Sequence, residues 1–327
     1  MRRETLFNTA LCLGLVAFPL WAQATDQPFL ITLATRAVIL ALAGVGLNIA
    51  LGLGGLVSLG HAAFFGIGGY AMGILASHAQ NYDPLIEWPL SIEGTTSMPV
   101  IWLIALAASA LAALAIGALS LRTSGVYFIM ITLAFGQMFY YFAISWPAYG
   151  GEDGLSIYVR NGFPGLNTLD PLTFYGLSLA MLALGLVVAW QLARSPFGLA
   201  LNAARQSAMR ARTVGLSPYG LRLTAFVISG TLTGLAGALF ADLNRFVSPT
   251  MFSWQTSGEI VVFVILGGVA RLFGPVAGAV LFVTLEHVLG GVSDYWHIYL
   301  GALLLGVVLF ARGGLIGSIC GPAVRHD

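Results

Sequence analysis

Side chains capable of acid–base or metal chemistry are few in this sequence, and they are scattered. His61 stands alone in a glycine-rich apolar segment, where it either serves the function or forms a buried hydrogen bond to the backbone. Glu286 and His287 are adjacent, so on a helix they point to different faces and make a poor catalytic pair. Asp242 and Glu259 fall near the ends of apolar segments, where a polar side chain reaches the membrane interface. We find no metal-ligand spacing and predict neither a metal nor a cofactor, so the pattern favours a conduit over an enzyme.

Residue types that are rare or missing restrict the chemistry further. The sequence contains no lysine, and a phosphate-binding Walker A loop needs one, so any ATP that powers this protein must be hydrolysed by another polypeptide. The two cysteines, Cys12 and Cys320, are too few and too far apart for a disulfide framework or a zinc site. The net charge of +1 excludes a strongly basic, nucleic-acid-binding surface.

The composition places the chain in a membrane. Of its 327 residues, 58% are hydrophobic and 8% are charged, whereas a soluble domain has about 25% charged residues. Apolar runs of the length that spans a bilayer cover residues 6–21, 29–51, 56–77, 100–119, 126–146, 174–193, 221–240, 260–289 (interrupted near Arg271) and 295–310. They predict an all-α, polytopic transmembrane helical bundle of about 8–10 spans, including discontinuous glycine-rich helices, in a single domain over residues 1–327.

Arginines and acids occupy different loops, which predicts the orientation of the chain. The stretch 194–222 carries five arginines and no acid, and arginines also occur near both termini and at Arg122. The stretches 78–98 and 147–172 lean acidic. Because positively charged loops stay inside, we expect both termini and 194–222 to be cytoplasmic and the acidic stretches to face outward. Residues 1–24 look like a secretory signal peptide, but we favour a retained first span because further spans follow.

Two glycine-rich segments look alike. Residues 53–56 (LGGL) and 266–269 (LGGV) each open an apolar stretch that contains further glycines. Paired, interrupted spans point to a transport site in proteins built from internal repeats, whereas close helix packing through small residues is the competing interpretation. Since glycine costs about 1 kcal/mol in a helix interior, we predict a helix break between Gly54 and Gly69 that faces the translocation route, with His61 lining it.

The arginine-rich stretch contains a short amphipathic segment of its own. Residues 198–214 predict one helix, because Ser195 and Pro196 precede it and Gly215 follows it. Its small-residue face comprises Leu201, Ala204, Ala208 and Ala211, and the neighbouring face comprises Arg205, Met209 and Arg212. Such a helix satisfies the positive-inside rule, touches anionic lipid or docks a cytoplasmic partner, and the spacing alone leaves these alternatives open.

Further motifs extend along the chain. They are 46–48 (GLN), 55–68 (GLVSLGHAAFFGIG), 125–128 (GVYF), 132–135 (TLAF), 150–155 (GGEDGL), 195–198 (SPFG), 225–230 (AFVISG), 234–239 (GLAGAL), 266–268 (LGG) and 274–279 (GPVAGA). In combination they resemble the permease subunits of branched-chain amino acid ABC importers, a family that includes permeases for urea, short amides and aromatic acids. The resemblance covers nearly the whole chain from about Ala37 onward.

This resemblance implies a set of partners and a location. The partners are ATP-binding cassette subunits, a second homologous permease subunit and an extracytoplasmic solute-binding protein, and the location is the bacterial cytoplasmic (inner) membrane. It also implies that residues 194–222 form the coupling loop of this chain, which rests on the ATPase subunits. The coupling residues expected there are Leu201, Ala204, Arg205, Ala208, Met209 and Arg212.

The implied function is translocation of a small polar solute, driven by ATP that a separate subunit hydrolyses. Branched-chain amino acids, or related molecules such as urea, amides or aromatic acids, are the expected solutes. The expected pathway residues are Asn48, Ser58, His61, Phe64, Phe65 and Gly66. An ion-coupled secondary transporter is the first alternative, and an intramembrane transferase is the second.

Overall fold

Helices dominate the computed structural model, which describes residues 2–86, 92–291, 298–302, 305–306, 313–314 and 316–317. Glu87, Arg312, Cys320, Arg325 and much of the predicted run 295–310 lie outside the described residues. The helices are α1 (Arg2–Ala24), α2 (Pro28–Asn48), α3 (His61–Asn81), α4 (Met98–Ser120), α5 (Val126–Ile144), α6 (Pro171–Arg194), α7 (Pro196–Gln206), α8 (Ala208–Thr213), α9 (Pro218–Asn244), α10 (Trp254–Gly267) and α11 (Gly274–Gly290). Two short antiparallel pairs join β1 (Pro84–Ile86) to β2 (Ile92–Glu93) and β3 (Leu155–Ser156) to β4 (Phe246–Val247).

Seven helices in the described part of the chain are long and apolar enough to cross a membrane, namely α1 to α6 and α9. The shorter apolar helices α10 and α11 are separated by residues 268–273, where the sequence predicts an interruption near Arg271. Large apolar side chains such as Leu103 and Met130 are more than 60% exposed on the outside of the bundle, as expected where lipid is the solvent. The prediction of an all-α, polytopic bundle is confirmed.

Glycines allow the central helices α3 and α9 to touch along their backbones. A Cβ atom at Gly68 would overlap the carbonyl group of Gly234, and one at Gly237 would overlap the carbonyl group of Phe65. Such contacts let two helices pack closely where lipid provides no hydrophobic driving force between them. Close packing therefore accounts for part of the glycine content.

α1 lies against the bundle through a hydrogen bond that its own proline makes possible. Pro19 has no N–H group, so the carbonyl of Leu15 loses its partner within the helix. The hydroxyl of Tyr175 on α6 donates to this carbonyl at 2.5 Å. A freed backbone group in a membrane is thus satisfied by a neighbouring helix.

The predicted helix break separates α2 from α3. α2 continues as a π-helical turn, Ile49–Leu53, and residues 54–60 are irregular before α3 begins at His61. The carbonyls of residues 49–51 accept hydrogen bonds of 3.0–3.3 Å from the N–H groups of residues 54–56. Gly55 has a φ of +68°, a conformation that favours glycine. His61 therefore begins a helix instead of interrupting one.

The second glycine-rich segment is also interrupted, between α10 and α11, and this second break lies beside the first. Gly268 adopts a φ of +123° at the end of α10, which allows the chain to turn toward α11. The side-chain amide of Asn48 donates to the carbonyl of Arg271 at 2.9 Å, and its oxygen accepts from the N–H of Ala270 at 3.0 Å. One asparagine, at the end of the helix before the first break, therefore joins the two breaks and satisfies backbone groups of the second.

The arginine-bearing stretches meet at one end of the bundle. Tyr219, at the start of α9, donates to the carbonyl of Ala118 at 2.9 Å, which brings the stretch 194–222 beside the turn that follows α4. Glu4, in the first turn of α1, pairs with Arg271 of the second break at 3.5 Å. Both breaks and the start of α1 therefore lie at this arginine-rich end.

The acid-leaning stretches meet at the opposite end. The side chain of Gln80, at the end of α3, donates to the carbonyl of Val159 at 2.9 Å. The N–H of Met98 donates to the carbonyl of Gly162, also at 2.9 Å. The separation of the loops into two groups agrees with the sequence pattern, and we call this the acidic end.

Replacing Asn48 tests whether it holds the two breaks together. Asn48→Leu keeps the volume but removes both hydrogen bonds to the second break, and at about 1 kcal/mol for each bond we expect the free energy of unfolding to fall by about 2 kcal/mol. Thermal unfolding of the purified chain in detergent measures this change. Asn81→Leu, at an exposed position, is the matched control and should have little effect. Equal effects of the two substitutions would contradict the bridging role.

Candidate functional site

His61 links three central helices through a chain of hydrogen bonds. Its Nε2 atom lies 2.8 Å from the hydroxyl of Ser229 on α9, and that hydroxyl lies 2.6 Å from the carbonyl of Gly46 on α2. A carbonyl only accepts, so Ser229 donates to Gly46 and accepts from Nε2–H, which fixes the tautomer. The rings of Phe64 and Phe226 contact the imidazole edge to face at centroid distances of 5.5 and 5.6 Å. His61 is thus fully enclosed where α3 begins.

The other expected pathway residues are also enclosed. Ser58, His61, Phe64 and Phe65 are at most 1% exposed, Gly66 is buried, and Asn48 is half-buried. The hydroxyl of Ser58 accepts from the N–H of Gly60 at 3.2 Å within the break. A solute reaches these residues only if helices move, so their place on the pathway stays a prediction.

An open cleft gives access to the first break from the arginine-rich end. It is lined by residues 55–57 of the break, by Thr123 and Ser124 of the turn before α5, by Phe128 and by Arg222. Thr123, Ser124 and Arg222 were not predicted to lie here. Thr123 and Ser124 could have indicated this position, since polar residues between two spans face water or another part of the protein.

The predicted helix 198–214 is wrong in one respect, because the chain forms two helices there. The hydroxyl of Ser195 accepts from the N–H of Gly198 at 3.2 Å and begins α7. The hydroxyl of Ser207 accepts from the N–H of Arg210 at 3.3 Å and begins α8. Serine competes with the helical backbone for hydrogen bonds and favours N-caps over helix interiors, so the chain bends at Ser207.

The orientation of the small-residue face also requires a correction. Leu201, Ala204 and Ala211 are at most 3% exposed, so this face packs against the chain's own bundle and is closed to a partner. Ala208 is partly buried, whereas Met209 is 77% exposed. Met209, Arg210 and Arg212 are among the exposed residues of the loop that a partner can reach.

Arg205 connects this loop to the first helix break. Its guanidinium Nη1 donates to the carbonyl of Gly52, at the end of the π-helical turn, and its side chain lies against Gly55. Arg222, near the start of α9, donates through Nη2 to the carbonyl of Ala204 at 3.2 Å, which joins α7 to α9. The loop and the break are therefore joined by one charge-assisted hydrogen bond, a type that is stronger than a neutral one.

The acid Asp242 has a structural role that differs from the interfacial position expected for it. It is 2% exposed, and its carboxylate accepts two hydrogen bonds of 3.2 Å from the backbone and side chain of Asn161. Arg160 donates to the carbonyl of Leu243 at 3.2 Å, and burial lowers the pKa of Arg160 while the nearby carboxylate opposes this shift. These bonds hold the loop 147–172 over the end of α9.

Comparisons with known proteins identify the family. The model described as "Branched-chain amino acid transport system / permease component" matches residues 29–311. The high-affinity branched-chain amino acid transport system permease proteins LivM of Escherichia coli strain K12 and Salmonella typhimurium strain LT2 are each 30% identical over 338 residues, which covers 96% of this chain and 75% of theirs. The autoinducer 2 import system permease protein LsrC of Salmonella paratyphi B is 30% identical over 162 residues, or 46% of either chain. No solved structure matches significantly. The chain belongs to the family of branched-chain amino acid transport system permease components.

Proposed function

We propose that this chain is the membrane-spanning permease subunit of a binding-protein-dependent ABC importer for a small polar solute. Membership of the permease family supports the class, and the names of the two LivM relatives favour a branched-chain amino acid over urea, amides or aromatic acids. The supporting observation in the structure is the hydrogen bond from Arg205 to Gly52, which joins an exposed loop to a broken helix.

The hydrogen bond from Arg205 to Gly52 suggests how a movement of the loop is transmitted to the broken helix. A partner that moves α7 and α8 also moves Arg205, because Arg205 lies on α7. The loop also packs on the bundle through Leu201 and Ala204, so the same movement acts on the bundle there. Arg205 then acts on the carbonyl of Gly52, and glycines in the break allow the backbone there to change direction. Movement of the break shifts the start of α3, where His61 and Phe64 are buried. This sequence of contacts couples the loop to the predicted pathway.

The proposed assembly assigns a partner to each exposed surface. ATP-binding cassette subunits supply the hydrolysis site that this lysine-free chain cannot form, and they bind the surface around Met209, Arg210 and Arg212. A second related permease completes the pathway, and a solute-binding protein docks at the acidic end. The arginine-rich end then faces the cytoplasm, where we also expect both termini, and α1 is retained as the first span.

A secondary transporter is the second candidate, and one ion pair favours it. Arg36 on α2 and Glu286 on α11 form a salt bridge of 2.9 Å within apolar helices, where charged residues often mark ion pathways. The two charges neutralise each other. In the described residues, no three His, Cys, Asp or Glu side chains are grouped closely enough to hold a metal ion. ATP dependence of uptake separates this candidate from the importer.

The orientation is testable by cysteine labelling. In a background with Cys12→Ser and Cys320→Ser, we place single cysteines at two exposed positions, Glu93→Cys and Gln206→Cys. An impermeant thiol reagent added to intact cells should label the first and spare the second, because arginine-rich loops stay in the cytoplasm. Permeabilised cells, in which both should react, provide the control. Labelling of Gln206→Cys from outside would reverse the topology.

Two substitutions in the loop should separate docking from coupling. Met209→Glu introduces a charge into the proposed docking surface and should prevent co-purification of the ATPase subunit. Arg205→Met removes the bond to Gly52 and leaves Met209, Arg210 and Arg212 in place, so the ATPase should still bind, while uptake falls roughly tenfold or more with the loss of a charge-assisted hydrogen bond. Co-purification and uptake are measured on the same preparations.

Arg122→Met is the matched control for Arg205→Met, because Arg122 is exposed at the same end of the bundle. It should leave both binding and uptake near the unmodified level. If Arg205→Met transports as well as Arg122→Met, the contact with Gly52 does not transmit the ATPase motion. If Met209→Glu still retains the ATPase, the docking surface lies elsewhere.

A further inference from the structure

An apolar groove lies between α1 and the rest of the bundle. Leu15 and Phe18 of α1 face Leu33 and Ala37 of α2 and Val283 of α11 across a cavity of about 330 Å³. Phe18 is 41% exposed, and most of α1 lies on the surface of the bundle. The groove is therefore bounded by apolar side chains and reached from the lipid.

A charged cavity adjoins this groove toward the acidic end. Its lining includes Thr32 and Arg36 of α2, Asn244 at the end of α9, and Glu286 and His287 of α11. Arg36 donates one hydrogen bond to Oε1 of Glu286, while Oε2 is buried and has no hydrogen-bond partner among the described residues. The side chains of Arg36 and Glu286 are 34% and 21% exposed. Both side chains of the ion pair are thus partly accessible from the cavity, while Oε2 itself is enclosed.

The groove and the cavity adjoin each other at Leu33. Leu33 lines both, and along α11 the cavity residues 286–291 lie beyond the groove residues 280–284 in the direction of the acidic end. The site is apolar at membrane depth and charged nearer the interface, which is the polarity of a phospholipid. We propose that it binds a phospholipid whose headgroup carries both a phosphate and a primary ammonium group, with an acyl chain in the groove and the headgroup on Arg36 and Glu286.

The charges select this headgroup over others. The free N–H groups of Arg36 donate to the phosphate, and the carboxylate of Glu286, whose side chain is 21% exposed, accepts from the ammonium group. Arg36 and Glu286 together carry no net charge, and the Glu286 carboxylate repels a second negative group placed beside it. A headgroup with no positive charge of its own, such as that of phosphatidylglycerol, is therefore disfavoured. Phosphatidylcholine has no N–H group for Glu286, so phosphatidylethanolamine fits best.

Competition between lipids tests the selectivity. The full chain, purified in mild detergent, is equilibrated with an equimolar mixture of phosphatidylethanolamine, phosphatidylcholine and phosphatidylglycerol with identical acyl chains, and native mass spectrometry counts the retained lipids. We expect a single lipid, with phosphatidylethanolamine preferred about tenfold, as one charge-assisted hydrogen bond gives. Glu286→Gln still accepts from Arg36 but lacks the charge, so it should lose most of this preference. Equal retention of the three lipids by the unmodified chain would overturn the proposal.

Filling the groove provides an independent test. Gly14 also lines the groove, and a Cβ atom built on it meets nothing within 4 Å, so Gly14→Trp should occupy the acyl position without a clash. Gly176→Trp is the control, because Gly176 is equally open but lies outside the groove lining. The retained lipid should disappear from Gly14→Trp alone, with the unfolding midpoint of the two variants similar. Equal retention by both variants would refute the acyl site.

Two further outcomes identify other occupants and would equally overturn the proposal. Free phosphoethanolamine that protects the unmodified chain and Gly14→Trp alike from thermal unfolding would assign the cavity to a soluble zwitterion. A photoreactive side chain at position 14 should crosslink to lipid. Crosslinks to residues 318–327 instead would mean that the chain's own C-terminal segment covers the groove.

Discussion

A backbone group that leaves a helix inside a membrane needs a partner within the protein, and both glycine-rich breaks are built around this requirement. At the first break, the N–H groups of residues 54–56 donate hydrogen bonds to carbonyls of the π-helical turn. At the second, the side chain of Asn48 supplies a donor and an acceptor. Because Asn48 ends the helix that precedes the first break, satisfying the second break fixes the two together. The breaks therefore form one structural unit, close to the arginine-rich end.

The contacts around this unit provide a route by which a movement of the exposed loop reaches the core. Arg205 reaches the unit from the exposed loop, and the His61–Ser229–Gly46 chain leads from it into the core. Every bond in this series joins different helices, so a displacement of α7 is not absorbed locally. Glycine-mediated contact between α3 and α9 keeps the core narrow and stiff. The loop, the breaks and the buried aromatic cluster are thus mechanically continuous.

Much of this arrangement followed from the sequence, because span length, arginine distribution and glycine clustering are local signals. The apolar runs that fall within the described residues, the interruption near Arg271 and the break after Gly54 were predicted correctly, whereas the run 295–310 lies largely outside those residues. Side-chain partners were not predicted, since pairs such as Asn48 with Arg271, Tyr175 with Leu15, and Arg36 with Glu286 are distant in the chain. The small face of α7 was misjudged for a related reason. Alanine and leucine suit a bundle contact and a docking contact equally, and only the position of the neighbouring helices distinguishes the two.

The most direct test of the account is uptake into vesicles that contain this chain, its partner permease and the ATPase subunits, with loaded solute-binding protein added. The solutes are radiolabelled leucine, isoleucine and valine, with urea and an aromatic acid for comparison. The account predicts uptake that requires ATP hydrolysis, stops when the ATPase subunits are omitted and continues when ionophores dissipate proton and sodium gradients. Uptake by this chain alone, without ATP and abolished by an ionophore, would contradict it and establish an ion-coupled transporter.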